Sequence, residues 1–586
     1  MPRPRSVPFT AATAGRLPTN AELASAFREI ADLLEILDEV VYKAVAYRRV
    51  ADGIERYPGE VAAQVIAGFP PKIPGMGPAI TGRLVELVKT GQVDYLDTLR
   101  VQVPAGVLEM IRIPGLGPRT ARALLVELGI SSVSELKVAA ENGALRQVRG
   151  LSARSEERIL EGIARLDRVG RRLLIHDADA VVAGLVSRLA ETRGVVRISV
   201  AGSLRRRAAT IGDLDLLAAT TDAAALVTAL DGLPEVERVL SAGTDKTSIV
   251  LAEGPQVDLM LCPPDAWGSH LVHFTGSRDH NVALRGRALD RGLSLSEKGF
   301  KVVETGALLL AASEEEVYER LGLDPIPPEM REDQGEIAAA EAHTLPVLIE
   351  RRDLRGDTHV HSDWTDGVHS IEAMARAARN AGLEYMVLTD HSPSLGITRG
   401  LAVERMRDQA GEIARVNDSL APFRILHGSE MEIRGDGSLD YPDEVLAALD
   451  VVIASIHTGR SQSLAQLTER ALAAIENPHV DVLAHPTGRI VNQRDPAPLD
   501  WPRVFEAASR TGTLLEMNGS PRLDLDDTLA RLAAGMGVNL TIASDAHRTT
   551  EFAHLDYAVS MARRAWLTRD QVATTATASG LLERVR

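Results

Sequence analysis

The sequence contains one cysteine and no apolar run long enough to span a membrane. A single thiol, Cys262, excludes a disulfide scaffold and fits a reducing cytosol. No apolar segment typical of a signal peptide occurs near the start of the chain. Residues 1–19 are instead rich in Pro, Arg and Thr and are predicted to be a disordered tail. The protein is therefore expected to be cytoplasmic, without a membrane partner.

The first half of the chain also has almost no net charge. Residues 1–300 carry 37 Lys and Arg against 36 Asp and Glu, whereas residues 301–586 carry 28 against 45, so the net charge of −16 arises in the second half. Within the first half, residues 101–210 hold 18 basic side chains against 11 acidic ones. Such a stretch is typical of a protein that binds a phosphate backbone, although a solvated helical face would give the same count.

Two copies of an apolar-Pro-Gly-x-Gly turn, each followed by a predicted helix, stand about forty residues apart, at residues 73–80 and 113–121. The turn glycines are Gly75, Gly77, Gly115 and Gly117. Glycine permits a tight turn and the close approach of another backbone, and the following helix N-terminus offers N–H groups to a DNA phosphate. Each copy resembles a helix-hairpin-helix, and the pair predicts DNA binding without sequence readout. Two ordinary helix–helix turns are the alternative.

Three aspartates on two predicted strands form the first candidate site. Asp213 and Asp215 stand two residues apart, so they are expected to point to the same face of one strand. Asp258 lies in a second strand-like run at residues 257–261. Carboxylates gathered on one face are costly unless they hold cations, and hard oxygen ligands suit Mg²⁺ or Mn²⁺. Two such ions can hold a phosphoryl transfer in line.

A glycine turn precedes the aspartates. Gly202 and Ser203 follow a predicted strand and offer backbone N–H groups to a phosphate, and three arginines follow at positions 205–207. Together with the aspartates, this turn predicts a nucleotidyl-transfer site.

Beyond residue 350 the chain changes character, because ten of its fifteen histidines lie there and strands alternate with helices. The predicted strands are 385–388, 451–456, 480–483, 514–517 and 540–542. This rhythm predicts parallel β/α units closing into a barrel, whose active residues lie at the C-terminal strand ends.

The candidate metal ligands there are His359, His361, Asp366, His391, Glu430, His457, His485, Asp545 and His547. Imidazole with carboxylate suits Zn²⁺, Mn²⁺ or Fe²⁺, and nine ligands could hold two or three ions, with Glu430 as a candidate bridge.

These motifs, from about residue 20 to the end, resemble the bacterial family X DNA polymerases that carry a C-terminal PHP (polymerase and histidinol phosphatase) domain. The first half is similar to DNA polymerase beta, through residues 42–51, both hairpins and the glycine turn. The second half matches the PHP motifs at residues 357–361, 389–391, 428–430 and 544–547. The resemblance implies a DNA-directed DNA polymerase with a metal-dependent 3′→5′ exonuclease or 3′-end-processing activity.

The resemblance also implies roles for individual residues. Asp213, Asp215 and Asp258 would be catalytic and would hold two Mg²⁺ or Mn²⁺ ions, while the C-terminal ligands would hold two or three Mn²⁺ or Zn²⁺ ions. The implied nucleotide-binding residues are Gly202, Ser203, Arg206, Gly212, Gly276 and Asn281.

The implied fold is multidomain, with helical helix-hairpin-helix domains, an α+β nucleotidyltransferase palm with a thumb, and a C-terminal distorted α/β barrel. The expected boundaries are 1–19 tail, 20–92 first helix-hairpin-helix domain, 93–170 fingers with the second hairpin, 171–262 palm, 263–325 thumb, 326–355 linker and 356–586 PHP domain.

Two positions depart from the beta-type pattern. Arg83 aligns with the lysine that forms a Schiff base with an abasic sugar, and a guanidinium is a poor nucleophile. Lyase activity by that route is therefore not expected. His273 stands where the beta-type enzymes have a tyrosine beside the sugar of the incoming nucleotide, which leaves ribonucleotide discrimination open.

The favoured interpretation is a monomeric, nucleoid-associated enzyme that fills short gaps during DNA repair, with gapped or primer-template DNA and dNTPs as substrates. One alternative is a nucleotidyltransferase that modifies RNA or a small molecule, against which the paired hairpins argue. For the C-terminal domain, a small-molecule phosphatase and a non-enzymatic scaffold are the alternatives.

Overall fold

The computed structural model describes residues 18, 20–55, 57, 61–66, 68–73, 75–111, 113, 116–148, 150–169, 172–252 and 254–585. The chain divides into two compact units, residues 1–170 and 171–586. The predicted tail, apart from Pro18, and the hairpin residue Gly115 lie outside the described residues. No helix within the described ranges is long and apolar enough to cross a membrane.

The first unit is helical throughout its described part. Its helices are α1 Asn20–Ile36, α2 Val41–Glu55, α3 Val61–Ile66, α4 Pro78–Thr90, α5 Asp94–Gln102, α6 Ala105–Met110, α7 Pro118–Leu128, α8 Val133–Glu141 and α9 Ala153–Val169. Apolar side chains at helical spacing, among them Phe27, Leu84 and Leu124, meet in one buried core. Each hairpin therefore places a short helix, α4 or α7, on a packed helical support.

The second unit begins with a five-stranded mixed sheet. Its elements are β1 Leu173–Leu174, α10 Ile175–Ala190, β2 Val195–Val200, α11 Gly202–Arg205, β3 Thr210–Ile211, β4 Leu214–Thr220, α12 Ala223–Asp231, β5 Val236–Ala242, β6 Lys246–Leu251 and β7 Gln256–Cys262. The strand order is β2-β4-β7-β6-β5, with β4 and β7 parallel. Leu214 and Leu216 are fully buried on one face of β4, whereas the other face carries Asp215 and, further along the strand, the buried Leu217 and Ala219.

A smaller antiparallel sheet follows. Its elements are α13 Trp267–Thr275, α14 Arg278–Asp290, β8 Leu293–Ser296, β9 Gly299–Val302, β10 Leu308–Leu309 and α15 Glu314–Arg320. The segment expected to be a linker, 326–355, contains α16 Glu336–Glu341, and its Met330 and Ala340 are buried in the core of this region. This segment is therefore packed along part of its length.

The remaining residues form a sheet of seven parallel strands in chain order. The elements are β11 Gly356–Val360, α17 Ile371–Asn380, β12 Tyr385–Leu388, α18 Val403–Leu420, β13 Arg424–Glu432, α19 Asp443–Leu446, β14 Val451–Ser455, α20 Leu464–Ile475, β15 Val482–Leu483, α21 Trp501–Thr511, β16 Leu514–Asn518, α22 Asp527–Gly535, β17 Leu540–Ala543, α23 His554–Arg564 and α24 Ala578–Val585. A bridge between Val360 and Ala546 nearly closes the sheet into a barrel. The predicted multidomain fold class, barrel included, is confirmed.

Candidate active sites

The three predicted aspartates meet near the N-terminal ends of β4 and β7, two adjacent inner strands of the first sheet. Asp215 on β4 and Asp258 on β7 occupy directly paired positions of the parallel ladder. Asp213 lies in the bend before β4, so the expectation that it sits within the strand is wrong in that detail. Carboxylate oxygens of all three residues nevertheless lie within 4.8 Å of one another. The site therefore combines a rigid strand pair with one more exposed carboxylate.

The electrostatics of this cluster fit a cation site. Burial, together with the charges of Asp213 and Asp258, raises the pKa of Asp215 to about 7. Burial alone would raise the pKa of Asp258, but hydrogen bonds from Lys246, Ser248 and others outweigh it and lower the pKa. Nζ of Lys246 lies 2.8 Å from Oδ2 of Asp258. Two ionised carboxylates beside Asp215 thus disfavour its charged form until a cation is bound.

The glycine turn begins helix α11 beside these carboxylates. Gly202 has a φ of +55°, and a Cβ there would lie 1.9 Å from Oδ2 of Asp215. Glycine is therefore required both by the backbone conformation and by the space beside the aspartate. The turn borders a cavity of about 530 Å³.

Most of the predicted nucleotide-site residues line this one cavity. Its walls are formed by Arg172, Gly202, Ser203, Arg206, Asp213, Asp215, residues 273–278, Asn281 and Arg285. The predicted residues Gly212 and Asp258 are not among them. Arg172, Arg278 and Arg285 were not predicted, because isolated arginines outside a motif carry no sequence signal that separates them from surface charge.

The three consecutive arginines after the turn have different partners. Arg205 forms an ion pair of 2.6 Å with Glu314, and Arg207 forms one of 2.8 Å with Asp179. Arg206 is the member of the three that reaches the cavity wall. Of the three positive charges, that of Arg206 is therefore placed for an anionic ligand.

The segment after α13 contributes backbone and amide groups to the opposite wall. Gly276 has a φ of +66°, and a Cβ there would lie 3.3 Å from Arg206. Nδ2 of Asn281 donates a hydrogen bond of 2.7 Å to the carbonyl oxygen of His273. This hydrogen bond holds Asn281 and His273 together where the incoming nucleotide was expected.

The second helix of each hairpin in the first unit begins in the same way. Gly77 and Gly117 precede α4 and α7 with ordinary φ values of −83° and −81°, without a side-chain cap at either helix. A Cβ at either glycine would meet nothing within 4 Å. Gly75 has a φ of +92°, which requires glycine at this turn. Among the described residues, therefore, no side chain caps either helix N-terminus.

Arg83 on α4 is held by aromatic rings. Its guanidinium carbon lies 3.6 Å from the ring centre of Tyr95 and 5.6 Å from that of Tyr47. A stacked guanidinium is a binding and packing group, which agrees with the expectation that it is no nucleophile.

The predicted ligands of the barrel converge at the C-terminal ends of its strands. They form three overlapping groups whose ligand atoms lie within 4.8 Å of one another: His361, Asp366, His391 and His547; His359, Glu430 and His485; and His359, His361 and Asp545. His457 belongs to none of these groups, but its Nε2 lies 3.3 Å from Oε1 of Glu430. The structure therefore brings all nine predicted residues into one neighbourhood.

Glu430 lies at the centre of this cluster. Its Oε1 lies 2.9 Å from Nε2 of His485, and its Oε2 lies 2.9 Å from Nδ1 of His391. Burial opposes protonation of His391, but Glu430 and Asp366 raise its pKa to about 10. Positive charge is thus favoured among these carboxylates, as expected of ligands that share cations.

Two further observations fit a metal centre. Nδ1 of His361 and Nδ1 of His485 are buried and lack a hydrogen-bond partner among the described residues. Nδ1 of His359 lies 2.7 Å from Oε2 of Glu516. A carboxylate behind a ligating imidazole orients the ring towards its ion. Glu516 and Glu432, which lies 2.9 Å from Nδ1 of His457, were not predicted, because neither belongs to a motif that was recognised in the sequence.

Four family models match the chain. They describe a helix-hairpin-helix domain at residues 18–93, a SAM-like helix-hairpin-helix tandem at 107–165, a DNA polymerase beta thumb at 270–332 and a PHP domain at 357–496. The thumb match extends beyond the boundary expected at residue 325.

Curated relatives match either most of the chain or a shorter part of it. The DNA polymerase/3′-5′ exonuclease PolX of Bacillus subtilis (strain 168) is 36% identical over 541 residues, which are 92% of this chain and 94% of that protein. A probable phosphatase of Thermoanaerobacter sp. (strain X514) is 30% identical over 231 residues, 37% of this chain and 89% of that protein. A probable phosphatase of Syntrophotalea carbinolica is 30% identical over 227 residues, 37% of this chain and 90% of that protein.

The near full-length match, the thumb and the paired helix-hairpin-helix domains agree with the carboxylate site, and the PHP match agrees with the histidine-rich barrel. The chain belongs to the bacterial family X DNA polymerases that carry a C-terminal PHP domain.

Proposed function

We propose that this chain is a DNA-directed DNA polymerase that fills short gaps during repair, with a second, metal-dependent 3′→5′ exonuclease site in its barrel. The observation that carries the polymerase assignment is the meeting of three carboxylates, Asp213, Asp215 and Asp258, with the Gly202 turn at one cavity. The relative from B. subtilis, whose name includes both activities, supports the pairing of the two sites.

Different residues around the cavity bind different parts of the incoming nucleotide. Ser203 and Arg206 bind the triphosphate, the latter by its positive charge, and the backbone at Gly276 lies opposite them. Asn281 contacts the incoming nucleotide from the far wall. Positioning of this kind reduces the entropy lost when the primer 3′-OH and the α-phosphate meet.

The carboxylates are the candidate metal ligands. Asp213, Asp215 and Asp258 would hold two Mg²⁺ or Mn²⁺ ions, and Asp258 would complete the site of the ion that serves the primer 3′-OH. When bound, such ions stabilise charge on the transferring phosphoryl group. Lys246, whose Nζ lies 2.8 Å from Oδ2 of Asp258, helps to keep that carboxylate ionised.

The hairpins bind DNA through its backbone. Pro118 and Pro78 begin their helices, and the N–H groups that follow point out of the first turn without a side-chain cap. The empty space before Gly77 and Gly117 admits a phosphate. This contact is independent of base sequence, as gap repair requires.

Template-directed synthesis distinguishes this function from modification of RNA or a small molecule. Primer extension is measured on a 5′-phosphorylated gapped duplex and on the same primer without template. The proposal expects addition of the complementary dNTP in the gap alone. Template-independent labelling, or labelling of RNA, would contradict it.

The barrel is assigned to 3′-end cleavage because its nine-ligand cluster suits Mn²⁺ or Zn²⁺ and activation of water for phosphodiester hydrolysis. A 3′-labelled oligonucleotide should release mononucleotides, and His359→Ala with His361→Ala should abolish the release. Hydrolysis of small phosphomonoesters with no attack on the oligonucleotide would favour a phosphatase, the function suggested by the names of several relatives.

A further inference from the structure

Helix α23 of the barrel region lies against the nucleotide-binding part of the same compact unit. The ring of Tyr557 on this helix packs on His176 of α10, with ring centres 3.8 Å apart. Ser560, one turn along, accepts a hydrogen bond of 3.0 Å from Nε of Arg207. The barrel therefore contacts the chain directly after the triphosphate-binding turn, residues 202–206.

Arg564, the last residue of α23, contacts the turn itself. Its Nη1 donates a hydrogen bond of 2.8 Å to the carbonyl oxygen of Arg206 and another of 2.9 Å to Oε1 of Glu332. Its Nε donates one of 2.7 Å to Asp527 of the barrel. The side chain is 11% exposed, so these bonds are largely protected from water.

Glu332 connects Arg564 to the side chain that faces the cavity. The same Oε1 accepts a hydrogen bond of 3.0 Å from Nε of Arg206. Nη1 of Arg206 donates a hydrogen bond of 2.6 Å to the carbonyl oxygen of Thr275. Two of the three guanidinium nitrogens of Arg206 are thus fixed, and its Nη2 has no protein partner in the described part of the chain.

We propose that Arg564 is a positioning residue for nucleotide incorporation, through which the PHP domain fixes Arg206 in the triphosphate-binding conformation. This inference rests on the polymerase function proposed above. Arg564 acts at two points, the carbonyl oxygen of Arg206 and the carboxylate of Glu332, and touches no substrate.

The physical reason is preorganisation. A free arginine side chain samples many rotamers, and a ligand that must order it binds more weakly. Here the shared carboxylate of Glu332 holds Arg206 in one rotamer before the nucleotide arrives, and Arg564 fixes that carboxylate from the other side. Asp527 in turn anchors Arg564 to the barrel. The barrel therefore contributes to dNTP affinity, separately from any cleavage at its own metal cluster.

Single-turnover gap filling over a range of dNTP concentrations tests this role, because it separates the dNTP dissociation constant from the maximal rate. Arg564→Ala should raise the dNTP dissociation constant about 10-fold, within the range of coupling between contacting residues, and should change the maximal rate much less. Affinity for gapped DNA should be unchanged. Arg564→Lys should recover part of the loss, since an ammonium cannot reproduce the guanidinium fork.

The matched control is Arg563→Ala on the same helix. Arg563 donates to Glu329 and to the carbonyl oxygen of Ile349, so it joins the same regions without reaching Arg206. The dNTP dissociation constant of Arg563→Ala should equal that of the wild type. An equal rise of the dNTP dissociation constant in both variants would show that loss of any contact between these regions has the same effect, and it would overturn the inference. An unchanged dissociation constant in Arg564→Ala would also overturn it.

Glu332→Gln provides a second, independent variant should thermal melting show that Arg564→Ala is unfolded. On its own it should weaken dNTP binding. Where Arg564→Ala is folded, the double variant should show little further loss, because both residues act through Arg206. Additive losses, or no loss in Glu332→Gln, would contradict the inference. A wild-type protein that fails to extend any templated primer would instead refute the proposed function.

Discussion

Gly202 and Asp215 are in direct contact across the candidate polymerase site. A Cβ on residue 202 would lie 1.9 Å from Oδ2 of Asp215, and the glycine has a φ of +55°. The backbone that is expected to receive the triphosphate is thus packed against a carboxylate that is expected to hold the ions. The two halves of the site cannot shift independently.

Gly202→Ala should inactivate nucleotide addition. The new methyl group must displace Asp215 or the turn, and a displacement of about 1 Å in a catalytic group costs roughly 100-fold in rate. The measurement is kcat/KM for gap filling. Gly184→Ala is the matched control, because Gly184 lies inside α10 with nothing within 4 Å of an added Cβ. That variant should keep full activity, and full activity in Gly202→Ala would contradict the packing argument.

Cation binding at the carboxylates should release protons below neutral pH. The pKa of Asp215 is raised to about 7, so the ion-free folded protein holds a proton there that the unfolded chain loses near pH 3.9. In that window stability of the ion-free protein falls as pH rises, and Mg²⁺ affinity rises with pH up to about 7.

Titration calorimetry at pH 6 in two buffers of different ionisation enthalpy measures this release. The His359→Ala/His361→Ala background suppresses the barrel contribution. Proton release should disappear on adding Asp215→Asn. Equal release with and without that substitution would contradict the assignment of the proton to Asp215.

Glu516→Gln should weaken metal binding in the barrel and leave gap filling intact. The carboxylate lies 2.7 Å from Nδ1 of His359, and loss of such a partner typically lowers metal affinity 10- to 100-fold. Metal content after dialysis and 3′ digestion both report the change. Glu476→Gln, an exposed glutamate paired with Arg510, serves as the control. Unchanged metal content in Glu516→Gln would exclude this orienting role.

Sequence patterns located the barrel closely, since five predicted strands coincide with observed ones within two residues at either end. Parallel strands buried on both faces are continuous apolar runs ended by polar residues, which makes them easy to recognise. The segment 326–355 was harder to interpret. Its prolines and charges are typical of a linker, yet Arg331 is buried and forms an ion pair of 2.7 Å with Glu314, which lies outside that segment on α15.

The candidate sites show the same difference between residues in local motifs and residues that depend on distant partners. Residues that belong to short motifs, such as Asp213 and Asp215, could be recognised from spacing alone. Lys246 and Glu516 act through partners on other strands, and no local pattern reports such pairing. Arg564 is the extreme case, since it meets Arg206 across 358 residues of sequence.

One chain is expected to carry two independent active sites of opposite chemical direction. Wild type, Asp213→Ala/Asp215→Ala and His359→Ala/His361→Ala are compared on one 5′-phosphorylated gapped duplex with Mn²⁺, and both primer extension and 3′ digestion are followed. We expect the aspartate variant to lose synthesis and keep digestion, and the histidine variant to do the reverse. Loss of both activities in either variant, with its fold intact by thermal melting, would contradict two independent sites.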